Sequence, residues 1–178
     1  MYHKDMPTTI IFWLTFWLIF LVVCIRNFGL KLATIFILLS GGIGFIGEWL
    51  GINYRIFGAF YYYNSKLGPQ LFGVPWVVFG YLATFIFGGM GVSNYFFKDN
   101  RSFWDAIFTL IIDFPLEITA LKSKAWVWQD KFPPFANYLG WFLIALVVSY
   151  IFRSLNEKIF KSKIVVGLYV LLIVLLVA

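Results

Sequence analysis

The stretch LIIDFPLEITAL, residues 110–121, sets two carboxyl groups, Asp113 and Glu117, into a run that otherwise reads as the middle of a membrane helix. No lysine or arginine lies within it. A charged side chain at that depth costs roughly 2.5–3.5 kcal/mol even on insertion scales, so intramembrane acids mark candidate sites. Four residues apart on a helix, the two groups stack on one face. Two like charges in a low dielectric repel, so one carboxyl is expected to stay protonated beside an ionised partner. A neutral acid next to a carboxylate is what general acid–base chemistry uses. Pro115, between them, removes a backbone hydrogen bond and can kink the helix, opening space at the same depth.

A third acid, Glu48, falls in the last turn of an apolar segment expected to be helical over 31–51. In an up-and-down bundle that helix runs in the same direction as the one over 103–122. Glu48, Asp113 and Glu117 then share one half of the bilayer. A lone membrane carboxyl is often only a protonated hydrogen-bonding group between helices. Three acids at one depth, two of them on one face, favour a reactive site instead. Asp105 and Asp130 lie near segment ends and are expected to be solvated.

The elements that must position these groups follow from composition. The chain has 178 residues, 62% hydrophobic and 12% charged, with mean hydropathy +0.87. A soluble core of this length cannot hide so much apolar surface, and the values belong to the polytopic membrane class. A span needs roughly 20 mostly apolar residues, which places helices near 8–25, 31–51, 74–96, 103–122, 137–153 and 164–178. The expected fold is an all-α membrane bundle of about six transmembrane helices, one domain over 1–178, with the first helix retained rather than cleaved as a signal peptide. Gly41, Gly42 and Gly44 read as close-packing positions.

Two connections are not ordinary loops. GINYRIFGAFYYYNSKLGPQLFGVP is rich in Gly and Tyr, and WVWQDKFPPFANYLGW has the same aromatic, Pro-punctuated character. Both suit interfacial or re-entrant segments, both fall on the same side, and 52–73 and 123–136 are expected to cap the acids together. Loops after the first, third and fifth helices carry Arg26, Lys31, Lys98, Arg101, Arg153, Lys158, Lys161 and Lys163. The opposite side carries Lys4, Arg55, Lys66, Lys122, Lys124 and Lys131. The richer loops are also the shorter, which favours placing them in the cytoplasm.

Net charge is +6, but no contiguous basic face exists, so nucleic acid is excluded as a partner; basic loops against anionic lipid headgroups account for the charge. Cys24 is the single cysteine and excludes a disulfide or a Cys-based metal site within one chain. His3 sits on a tail and carries no signal. No metal, nucleotide or flavin motif is present, so no cofactor is expected. Trp126 and Trp128 read equally as interfacial belt or as site residues.

These residues taken in order resemble the integral-membrane carotenoid biosynthesis family that includes bisanhydrobacterioruberin hydratase and related carotenoid 1,2-hydratases of linear end groups. That family shows a Glu, then FGxYxY, LGPxLxGVP, a DxxxDP element, a WxW pair and PLxNFxGW. Here stand Glu48; Phe57, Gly58 and Tyr62; Leu67, Gly68, Pro69, Leu71, Gly73, Val74 and Pro75; Asp113 and Glu117; Trp126 and Trp128; and Pro134, Asn137, Gly140 and Trp141. The match runs from about 48 to 141. Phe60 departs from the first Tyr of FGxYxY, and Glu117-Ile118 stands where the family has Asp-Pro. PLE at 115–117 is more loosely similar to the PxE motif of membrane carotene cyclases.

The resemblance implies an enzyme, a hydro-lyase that adds water across the terminal C=C of a linear carotene in the cytoplasmic membrane of a prokaryote. Asp113 or Glu117 would supply the proton, and Glu48 completes the catalytic set. Tyr62, Trp126, Trp128, Asn137 and Trp141 would bind substrate, the aromatic faces stabilising a tertiary cation and Asn137 or a second carboxylate holding the water. The polyene would enter from lipid and lie between helices. Competing readings are a membrane carotene cyclase, a non-catalytic carotenoid- or lipid-binding protein, and a small proton-coupled transporter. The last wants polar residues continuing across the bundle, and helices three and four offer few.

Overall fold

The first two expected helices are joined by a single residue. In the computed structural model, which describes residues 6–56, 60–156 and 160–177, helix α1 spans Met6–Tyr54 and is broken only at Gly29 (φ 77°, ψ 161°). That backbone region is accessible essentially to glycine alone. Phe20 and Phe36 would stand ~24 Å apart along a straight helix, yet both rings contact Phe87, with centroids at 5.3 and 6.1 Å. The chain therefore folds back at Gly29 into two arms, where the sequence reading places a loop holding Arg26. His3, Lys4, Phe57, Gly58 and Lys158 lie outside the described residues.

Four further helices follow: α2 over Val77–Phe96, α3 over Arg101–Ser123, α4 over Phe135–Leu155 and α5 over Lys163–Val177. By length and composition, three helices suffice to cross a membrane: the folded-back α1 (Leu14–Tyr54), α2 and α4. The molecule is thus a mostly helical membrane protein with three such helices among the described residues. Helix α1 merges two of the six expected segments, α5 has only 15 residues, and α3 carries Arg101, Asp105, Asp113, Glu117 and Lys122.

Helix α2 is the hub, buried from Val78 to Asn94 except at Phe79. It packs against α1, α3 and α5. It meets α3 closely at Gly89, where an added Cβ would lie 2.7 Å from the backbone carbonyl of Asp105. Around it, one core gathers Phe20, Phe36, Phe87 and Phe152, with Phe28 packed among them.

The all-α expectation needs a correction in the connections. Strand β1 (Tyr61–Tyr63) pairs antiparallel with β4 (Trp126–Trp128), and β2 (Gln70–Leu71) pairs with β3 (Val74–Pro75). The second pair is a tight hairpin whose two central residues, Phe72 and Gly73, both have positive φ, as two-residue hairpin turns require. The two aromatic connections do meet: Tyr61 stands opposite Trp128 and Tyr63 opposite Trp126.

Asp105 is also corrected. Far from solvated, it is 0% exposed. Arg153, read as a loop charge, lies in the last turn of α4 and forks onto it, with Nε donating to Oδ2 and Nη2 to Oδ1, both at 2.7 Å. Ser93 donates to Asp105 as well, and Arg153 reaches Asn94 Oδ1 at 3.1 Å. Asn94 in turn donates to the Phe160 carbonyl at 2.9 Å. The cluster ties α2, α3 and α4 to the segment entering α5. Asp130, by contrast, is exposed as expected.

A buried ion pair broken on one side leaves an uncompensated charge. Asp105→Asn and Arg153→Met are each expected to lower the unfolding free energy of the detergent-solubilised protein by about 3–5 kcal/mol. The double replacement Asp105→Leu with Arg153→Met should recover most of the loss.

Candidate active site

The inward face of α3 follows from helical period. Ile111, Phe114 and Ile118 are exposed, while Ile112, Asp113, Leu116, Glu117 and Ala120 are buried. Asp113 and Glu117 therefore point into the bundle on one stripe, with Pro115 buried between them. Glu48, near the end of α1, faces the same space. The three carboxyls line one small cavity of about 30 Å³, together with Trp126, Trp128, Asn137 and Trp141. A cavity of that volume has room for water.

The three acids differ in their hydrogen bonding. Glu117 is fully dressed: the indole N–H groups of Trp126 and Trp128 donate to its Oε2 at 2.9 and 3.0 Å, and the Asn137 amide donates to Oε1 at 3.3 Å. Glu48 Oε2 accepts from two phenols, Tyr61 and Tyr63, the latter at 2.7 Å. Burial, reinforced by the neighbouring Glu48 carboxyl, holds both phenols well above the ordinary tyrosine range, so they remain protonated donors. Asp113 stands apart. Its Oδ2 is buried and takes no hydrogen bond among the described residues.

Every one of these donors except Asn137 comes from the β1–β4 ribbon. A strand sends alternate side chains to opposite faces, so Tyr61, Tyr63, Trp126 and Trp128 share the face turned to the acids. Tyr62 is on the other face and 59% exposed. Tyr62, expected to bind substrate, is thus turned away from the acid cavity, whereas Tyr61 and Tyr63, which the sequence reading does not single out, face it. Strand alternation through the YYY run is the signal that picks them out. Tyr81 of α2 and Thr109 of α3 also line the cavity without any motif to mark them.

The sequence profile of the family described as carotenoid biosynthesis protein matches residues 8–178, nearly the whole chain. The chain belongs to that family. A carotenoid biosynthesis role for this membrane protein is in keeping with a cavity walled by aromatic rings and closed around acids. No curated protein and no solved structure is significantly similar to the chain. Within the family assignment, the LGPxLxGVP residues take a structural meaning: they run into the β2–β3 hairpin, whose second strand, Val74–Pro75, is buried.

The ribbon's donors have a measurable energetic signature. A hydrogen bond to a charged group contributes about 1.5–3 kcal/mol, so Trp126→Phe and Trp128→Phe should each lower thermal stability in detergent by that order. Tyr62→Ala, on the outer face, should stay within about 0.5 kcal/mol.

Proposed function

We propose that this carotenoid biosynthesis protein hydrates the terminal C=C of a linear, psi-end carotene. The carrying observation is the contrast between Asp113, whose Oδ2 has no donor among the described residues, and Glu117, which has three, around a small space with room for water. Donors suit a carboxylate, so Glu117 is the ionised member and Asp113 the neutral acid. Asp113 passes its proton to the less substituted alkene carbon, leaving a tertiary cation at the other. Trp126, Trp128 and Trp141 supply aromatic walls, worth about 0.5–2 kcal/mol each towards a cation. The Glu117 carboxylate supplies the countercharge, held in place by its three donors. Water in the cavity, beside Glu48 and Asn137, adds to the cation, and its surplus proton restores Asp113. The balance is alkene plus water to tertiary alcohol, with no cofactor required.

In this reading both arms of α1 and helices α2–α5 cross the bilayer, six crossings in the cytoplasmic membrane of a prokaryote. Membrane lipid and the linear carotenoid are the partners.

Expression in a lycopene-producing bacterium tests the reaction. The pigment should gain one water per end group modified. An isomeric product of unchanged mass with a shifted absorption spectrum would identify a cyclase instead. General acid catalysis contributes typically 10²–10⁴-fold. Asp113→Asn and Glu117→Gln should therefore each cut product by at least that factor while protein still accumulates in the membrane. Full activity in both variants would remove the mechanism.

A further inference from the structure

The acid cavity holds about 30 Å³, far too little for the substrate that the proposed reaction requires. On the other side of Tyr81 lies a groove of about 810 Å³, within the range of roughly 300–1,000 Å³ typical of ligand sites. We propose that this groove, between the two arms of α1 and α2, binds the hydrocarbon body of a long acyclic polyene, and that Tyr81 is the wall across which its end group reaches the acids. The assignment rests on the hydratase reading for the role of the end group, but not for the binding itself.

Three features set the groove apart from ordinary lipid-facing surface. It adjoins the site, since Tyr81 lines both the groove and the acid cavity. It is roofed by the β2–β3 hairpin region, through Pro69, Leu71 and Trp76, next to the ribbon that closes the acids. Its shape is also built in by glycines. Gly80 admits Trp17 so closely that an added Cβ would lie 2.6 Å from the indole nitrogen, whereas Gly42 has nothing within 4 Å and leaves the floor open. The lining is apolar apart from Lys66, Tyr81 and Thr84, which suits a polyene and excludes a polar ligand.

Because Gly42 faces open space in an ordinary helical conformation, larger residues there fill the groove without a backbone clash. The test uses Gly42→Ala, Gly42→Leu and Gly42→Phe in lipid nanodiscs, with lycopene as probe and quenching of tryptophan emission as the binding readout. Binding should weaken with side-chain size, at least tenfold at Phe, with the melting temperature unchanged. Conversion should fall through KM and not through the rate at saturation. If Gly42→Phe does not fold, Ile46→Trp, on the exposed lip one turn away, supplies the same obstruction. Undiminished lycopene binding in a folded, obstructed protein overturns the groove assignment, whatever the reaction proves to be. Quenching in detergent micelles that vanishes in nanodiscs assigns the groove to lipid acyl chains and overturns it too. Size-dependent binding with no hydrated product from the wild type sustains the groove and discards the hydratase reading.

Discussion

Carboxyl groups among apolar helices are tolerable when donors surround them, and here the donors come from outside the bundle. Trp126 and Trp128 reach Glu117 from the cap, and Tyr61 and Tyr63 reach Glu48 from the strand paired with it. One ribbon thus serves acids on two different helices. Its register decides the chemistry of the cavity, because a one-residue slip would turn all four donors away and bring Tyr62 and Val127 inward. The helices beneath are arranged to present the acids to that face: α3 by its period, and α1 by folding back so that its second arm ends at the acid cavity.

The two polar regions of the bundle are built to opposite rules. Asp105 is saturated, with both oxygens held by Arg153 and a hydroxyl added from Ser93. Nothing there is left to react, and the pairing joins three helices. Asp113, two turns further along α3, has the same side chain and comparable burial but no compensating charge. The two aspartates of one helix are thus set apart by their partners alone: Asp105 is fully satisfied, and Asp113 Oδ2 has no donor among the described residues.

Much of the helical framework was legible from hydropathy, because apolar runs of near-bilayer length have few other solutions. The depth of the acids was legible for the same reason, since position along a span gives position in the bundle. What hydropathy could not carry was pairing between distant residues. Arg153 and Asp105 are 48 positions apart, and each alone reads as an interfacial charge. The ribbon joins segments that are short, aromatic and without the length that makes a strand pattern stand out, so nothing in the sequence marked Tyr61 and Tyr63, rather than Tyr62, as facing the acids. The reversal between the first two expected helices was legible as well, but hydropathy could not show that the one residue Gly29 makes it.

The ribbon also bears on the order in which the molecule assembles. Its two strands lie more than sixty residues apart in the chain, with all of α2 and α3 between them. Non-local pairing of this kind carries a loop-closure cost that must be met before its contacts repay it. It can therefore form only after α2 and α3 have docked. Until then Glu48 and Glu117 lack their tyrosine and tryptophan donors, and neutral acids are the cheaper form in lipid. The helices can thus insert with uncharged carboxyls, and the ribbon brings the donors to Glu48 and Glu117 last.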